Sequence, residues 1–127
     1  MTAFWVFLGG GLGSVARWSL DQAWQRAAAG GRWAHFPAGI VFCNLVGCFL
    51  IGTLAGSLAS RPVPGWVVPF FSIGFLGGFT TFSTFAKGAV DLMAGGHATA
   101  AFLKVILSVV GGLVLAWLGW RLGSATA

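Results

Sequence analysis

Four stretches of this chain are each about as long and as apolar as a membrane-crossing helix, and only short linkers separate them. A helix needs about 20 apolar residues to cross a hydrocarbon core of about 30 Å. The expected spans run from about Ala3 to Leu20, Ala38 to Ala59, Trp66 to Leu92 and Ala98 to Leu118. Pro37 stands at the start of the second and "SRPVPG" marks its end. This pattern predicts an all-α integral membrane fold, a single domain over residues 1–127 with no water-soluble part.

Composition narrows the function classes. Charged residues make up 7% of the chain, against about 25% in soluble domains. The seven basic side chains are scattered, so the pI of 10.8 reflects scarce acids rather than a basic patch, which argues against nucleic-acid binding. Asp21 and Asp91 lie at helix ends, and no Ser, His and acid constellation accompanies them, which argues against an enzyme. Cys43 and Cys48 are five apart in one span, on different helix faces, and read as small buried residues rather than a bridge or metal pair. The start "MTAFWVFLGGGLGSVARW" lacks the basic region and cleavage pattern of a signal peptide and reads as the first helix.

Trp5, Trp18, Trp33, Trp66, Trp117 and Trp120 fall near the predicted span ends, where an amphipathic indole prefers the headgroup zone. Gly9 and Gly13, then Cys48, Gly52 and Gly56, then Ser108 and Gly112 recur every four residues, giving small faces for helix packing and, on that basis, self-association. Arg17, Arg26, Arg32 and Lys87 on one side face Arg61 and Arg121 on the other. So small a contrast sets no firm orientation under the positive-inside rule and is compatible with insertion both ways.

The third span carries the unusual chemistry, "GFLGGFTTFSTF" from Gly74 to Phe85. Adjacent glycines each weaken a helix by about 1 kcal/mol, and threonine branching and hydroxyl back-bonding weaken it further. A break is expected at Gly77 to Thr81. Freed backbone groups at bilayer depth are tolerated only where protein buries them or they line a cavity, so the break marks a candidate ion site. The competing reading is that the glycines only let helices cross closely. Phe82 and Phe85, three apart, would project from one face, and the positive edge of an aromatic ring can face an anion; packing is the plainer role. Asn44 offers an amide donor about 9 Å into the second span, or an interhelical hydrogen bond, and Ser108 raises the same pair of readings.

Three segments together, "GFLGGFTTFSTF", "NLVGCFLIG" from Asn44 to Gly52 and "GSVARW" from Gly13 to Trp18, resemble the Fluc (CrcB) family of fluoride channels over essentially the whole chain. The resemblance implies a dual-topology homodimer of antiparallel subunits, four spans each with the third broken, exporting fluoride passively across the inner membrane. It implies two fluoride pathways at the dimer interface, with Phe82 and Phe85 supplying ring edges, Asn44 a donor, and Ser83, Thr84 and Ser108 hydroxyls. It further implies a structural sodium ion held by the backbone carbonyls of Gly77 and Thr80 from both subunits. Arg17 matches the family's basic residue near the end of the first helix; from the residues alone it either snorkels to headgroups, the safer expectation, or draws anions to a vestibule.

The chain departs from the family pattern at several positions. Ala86 and Gly88 stand where a serine and a glutamate are usual, Ile40 where threonine is frequent, and Gly112 where serine is frequent. Lys104 lies about 9 Å into the fourth span, where an unpaired ammonium costs at least a few kcal/mol; it either snorkels outward or faces the pathway. These departures leave two alternatives beside fluoride conduction: a channel for another ion such as sodium, or a non-conducting partner in a heterodimeric fluoride channel. Lys87 and Asp91, four apart, are expected to pair, and His35 and His97 to sit near the membrane interfaces.

Overall fold

A computed structural model describes residues 1–31, 34–59 and 61–126. Arg32 and Trp33, assigned above a loop charge and an interfacial indole, lie outside the described residues. All regular secondary structure among the described residues is helical, and three segments are long and apolar enough to cross a membrane: Ala38–Leu58, Val68–Ala94 and Ala98–Ala125. The first helix, Thr2–Ala28, has 27 residues, about 40 Å at 1.5 Å per residue. It outruns its expected end at Leu20 because good helix formers follow, and Gln25 Nε2 donates to Asp21 Oδ2 at 2.8 Å one turn away. Gly30, at φ 74°, takes the left-handed conformation that a side chain disfavours, just beyond the helix end.

Helices pair through glycine. A Cβ on Gly9 or Gly13 would run into the backbone of Phe70 or Phe75, so the first helix lies directly against the start of the third span. Gly52 and Gly56 meet the backbone of Ala116 and Trp120, while Gly119 and Gly123 meet that of Phe49 and Thr53, a reciprocal contact between the second and fourth spans. Contact positions rise together along both members of each pair, so the first and third helices run the same way, as do the second and fourth. Gly112 lies against Cys48 in the same seam. The small faces from which the sequence implies self-association are therefore occupied within one chain.

Aromatic side chains mark one end of the first pair, with Trp5 and Trp66 ring centroids 5.5 Å apart and Phe70 set edge-on to Trp5 at 6.2 Å. At the opposite end Trp24 Nε1 donates to the carbonyl of Phe36 at 2.8 Å, tying the end of the first helix to the approach to the second. Two stretches are wound as π-helix, Val68–Leu76 and Leu107–Gly111. Such widened turns often accompany functional positions.

The break in the third span is narrower than expected. Gly77 and Gly78 stay helical, Gly77 at φ −63° and ψ −37°, and only Thr80 (φ −92°, ψ 155°) and Thr81 (φ −153°, ψ 123°) are extended. Packing offsets the poor helix propensity of the glycines: a Cβ on Gly78 would collide with the carbonyl of Gly10 and crowd Ser14 on the first helix. The two β-branched threonines suit extended backbone better than helix.

Because Gly13 abuts backbone whereas Gly11, two residues earlier, has nothing near it, the two should respond oppositely to a methyl group. Gly13→Ala is expected to destabilise the purified protein by about 1–3 kcal/mol through overpacking, and Gly11→Ala to leave stability equal or up to about 1 kcal/mol higher through helix propensity. Thermal unfolding in detergent reads both; equal midpoints for the two variants would refute the backbone-contact account.

Candidate ion site

Breaking a helix strands the carbonyls before the break and the amides after it. The last intact bond before the break runs from Thr80 N to the carbonyl of Leu76, 3.0 Å, reinforced by Thr80 Oγ1 donating to the same oxygen at 2.8 Å. Thr81 N donates instead to Asn44 Oδ1 at 3.0 Å, and Asn44 Nδ2 donates back to the Thr81 carbonyl at 3.4 Å. Thr81 is the cap of the helix Phe82–Ala94: its Oγ1 accepts from Thr84 N at 3.3 Å and donates to Thr84 Oγ1 at 3.2 Å. Arg17 Nε donates to the carbonyl of Gly78 at 3.1 Å. Arg17 thus turns into the protein rather than snorkelling, because the carbonyl freed opposite it is a stronger attraction at that depth than a distant headgroup.

Among the described residues, two carbonyls gain no such substitute. The amides that would have bonded Gly77 O and Thr80 O in a continuous helix are those of Thr81 and Thr84, and both are turned to side-chain oxygens. Gly77 and Thr80 both line an open, largely apolar cleft of about 380 Å³.

The same cleft gathers Asn44, Phe82, Phe85 and Ser108. Phe82 and Phe85 share a face as the spacing implied, with centroids 5.6 Å apart and planes at 42°. They differ in exposure: Phe85 is packed in at 8%, and Phe82 stands out at 79%. Ser108 Oγ is buried, with no hydrogen-bond partner among the described residues, an uncommon state that leaves one O–H donor free. Of the other expected hydroxyls, Thr84 lines a second cavity of about 420 Å³, whereas Ser83 lines neither and lies 3.4 Å from Thr81 Oγ1.

Lys104 does not snorkel. It is fully buried, with Nζ donating to the carbonyl of Phe85 at 2.7 Å and lying 5.3 Å from the centroid of the Phe85 ring. Gly88 makes this possible, since a Cβ there would collide with Nζ. Lys87 and Asp91 form the expected exposed pair, 2.6 Å apart. His35 and His97, from separate linkers, stack with centroids 4.7 Å apart.

Sequence reasoning passed over two groups in this region. Thr81 was part of the break but not of the site, although it anchors Asn44 and caps the restarted helix; its place three residues before Thr84, at the start of a helix, is a capping signal. Ser72 adds a hydroxyl to the cleft from one π-wound stretch, as Ser108 does from the other. No local pattern distinguishes Ser72, because winding of this kind leaves no sequence signature.

Comparison with known proteins agrees with this architecture. The model of the family described as CrcB-like protein, camphor resistance (CrcB), matches residues 4–120. A protein of Thermus thermophilus named fluoride-specific ion channel FluC is 41% identical over 120 residues, covering 94% of this chain and 91% of the relative. FluC 2 of Moorella thermoacetica is 39% identical, covering 91% and 93%, and FluC 1 of Symbiobacterium thermophilum is 41% identical, covering 94% and 96%. With a helix interrupted at "TTFSTF", its freed backbone held by Asn44 and Arg17, and relatives matched over nearly their full lengths, the chain belongs to the CrcB-like family.

Proposed function

We propose that this chain is a fluoride-selective channel, a transporter rather than an enzyme, which lets fluoride leave the cell passively through a multi-pass protein of the plasma membrane. The observation that carries the reading is the chemistry of the cleft: a free Ser108 hydroxyl, an amide and two phenylalanine rings converge there, and no acidic side chain lines it. The names of the relatives, fluoride-specific ion channels, support the identity of the ion.

Fluoride is small and holds water tightly, so a path must replace that water with donors, yet not hold the ion so firmly that it cannot leave. Hydroxyl and amide donors and the positive edges of Phe82 and Phe85 meet both demands without a trapping charge. Asn44 acts chiefly by holding Thr81 extended, which keeps Phe82 at the start of the restarted helix; its second amide hydrogen is available to the ion. Ser83 and Thr84 extend the polar surface past the rings.

The working unit is an antiparallel pair of four-span subunits forming one membrane domain each. An open cleft with partnerless carbonyls cannot face lipid, and Phe82, 79% exposed beside it, supplies apolar surface for a second copy to cover. The carbonyls of Gly77 and Thr80 suit a sodium ion, being neutral oxygens without helix partners, among the described residues, on two residues that line the cleft. Two copies would offer four such oxygens, and the ion would add a fixed positive charge that favours nearby anions.

Reconstituted protein is expected to release fluoride from liposomes far faster than chloride or sodium; efflux no faster than from empty liposomes rejects the proposal, and efflux of sodium alone favours a cation channel. Phe82→Ile and Phe85→Ile are each expected to lower fluoride flux at least about tenfold, the loss of roughly 1.4 kcal/mol of ring interaction, while elution as a dimer persists. Unchanged flux in both variants removes the rings from the pathway. Replacing external and internal sodium by an organic cation is expected to lower fluoride flux or dimer stability, and indifference of both to sodium removes the ion from the assembly.

A further inference from the structure

The least expected charge in the molecule is Lys104. Its ammonium is fully buried about 9 Å along a membrane-crossing helix from Ala98, where an unneutralised charge is costly. The carboxylates of Asp91 and Asp21 act on it only from a distance, because Asp91 pairs with Lys87 and Asp21 accepts from Gln25, and among the described residues neither forms an ion pair with Lys104. The only hydrogen bond that Nζ makes among the described residues goes to the Phe85 carbonyl at 2.7 Å. An ammonium carries three N–H donors, and the Phe85 ring, 5.3 Å to the centroid, partly screens another side. On the remaining side lies Gly88, which contributes no side chain.

Two of the residues beside this ammonium, Phe85 and Gly88, belong to different cavities. Phe85 lines the cleft beside the break, and Gly88 lines the second cavity, shared with Thr84, Lys87, Asp91 and Asp21 toward the linker ends. Lys104 therefore stands in the partition between them. Gly88 stands between its head and the second cavity on one side, and it is bonded to a pathway phenylalanine on the other.

Resting on the channel reading above, we propose that the Lys104 ammonium is an anion-binding station of the conduction path, and that the permeating fluoride is its contacting counterion. An anion moving between the two cavities exchanges water for the open N–H of Nζ at the partition. It is drawn there by a full charge, and it is released because Nζ remains shared with the Phe85 carbonyl. Gly88 is the complementary element: its missing side chain leaves the space that the ammonium itself occupies beside the second cavity.

The initial rate of fluoride efflux from reconstituted liposomes, measured against fluoride concentration, tests this. Lys104→Met, of similar length and without charge or donor, is expected to raise the half-saturating fluoride concentration at least about tenfold, as loss of a charge-assisted contact. Lys104→Gln keeps an amide donor for the Phe85 carbonyl but no charge, and is expected to behave like Lys104→Met. If Lys104 is only a tether between the third and fourth spans, Lys104→Gln instead restores wild-type half-saturation and Lys104→Met lowers the maximal rate alone; either result overturns the proposal. Should Lys104→Met fail to elute as a folded dimer, Lys104→Gln decides. Fluoride efflux absent from the unaltered protein rejects the channel reading itself, an outcome separate from conduction that is indifferent to Lys104.

Discussion

Every backbone N–H and C=O at bilayer depth must find a partner inside the protein, because lipid offers none. Two extended residues, Thr80 and Thr81, put this rule under the greatest strain here, and the surrounding structure is organised around relieving it. Asn44 takes both polar groups of Thr81, the Thr81 hydroxyl takes the amide of Thr84, and Arg17 takes the carbonyl of Gly78. Each of these side chains would be expensive in a membrane on its own, and each becomes affordable by answering a backbone group that would be equally expensive.

The same accounting explains why polar side chains identified from sequence have two natures. In sequence Asn44 reads as an interhelical partner or an anion donor, and Arg17 as a headgroup contact or an anion attractor; both side chains are bound to the break. Ser108, by contrast, keeps its hydroxyl free. The difference lies in depth and neighbour: Asn44 and Arg17 stand opposite stranded backbone, whereas Ser108 lies in a π-wound stretch beside apolar walls.

Periodicity and length made the helical class, the three most apolar spans and the interruption of the third legible from residues alone. Motif resemblance added the family. What could not be read was partnership in three dimensions. The glycines at 77 and 78 look like helix breakers in sequence, yet they remain helical because the first helix packs onto Gly78, a contact made by Gly10 and Ser14 more than sixty positions away. Lys104 and Gly88 look like two separate departures from a family pattern, and only their proximity shows that they are one change: a lysine head filling the space that a side chain at 88 would otherwise occupy. Lys104 reads in sequence as either reaching for the interface or facing the pathway, and the acceptor that holds its head, the Phe85 carbonyl, cannot be read from the residues alone.

The glycine seams carry a consequence for precision. Where two helices touch backbone to backbone, as Gly52 and Gly119 do with their opposite helices, no rotamer stands between them to be adjusted, and neither helix can slide without collision. The cleft draws its lining from both pairs, so the glycine seams fix the spacing of the helices that carry its walls. What can still move at its walls is then the side chains alone, above all the exposed ring of Phe82, set on helices whose separation backbone contact holds.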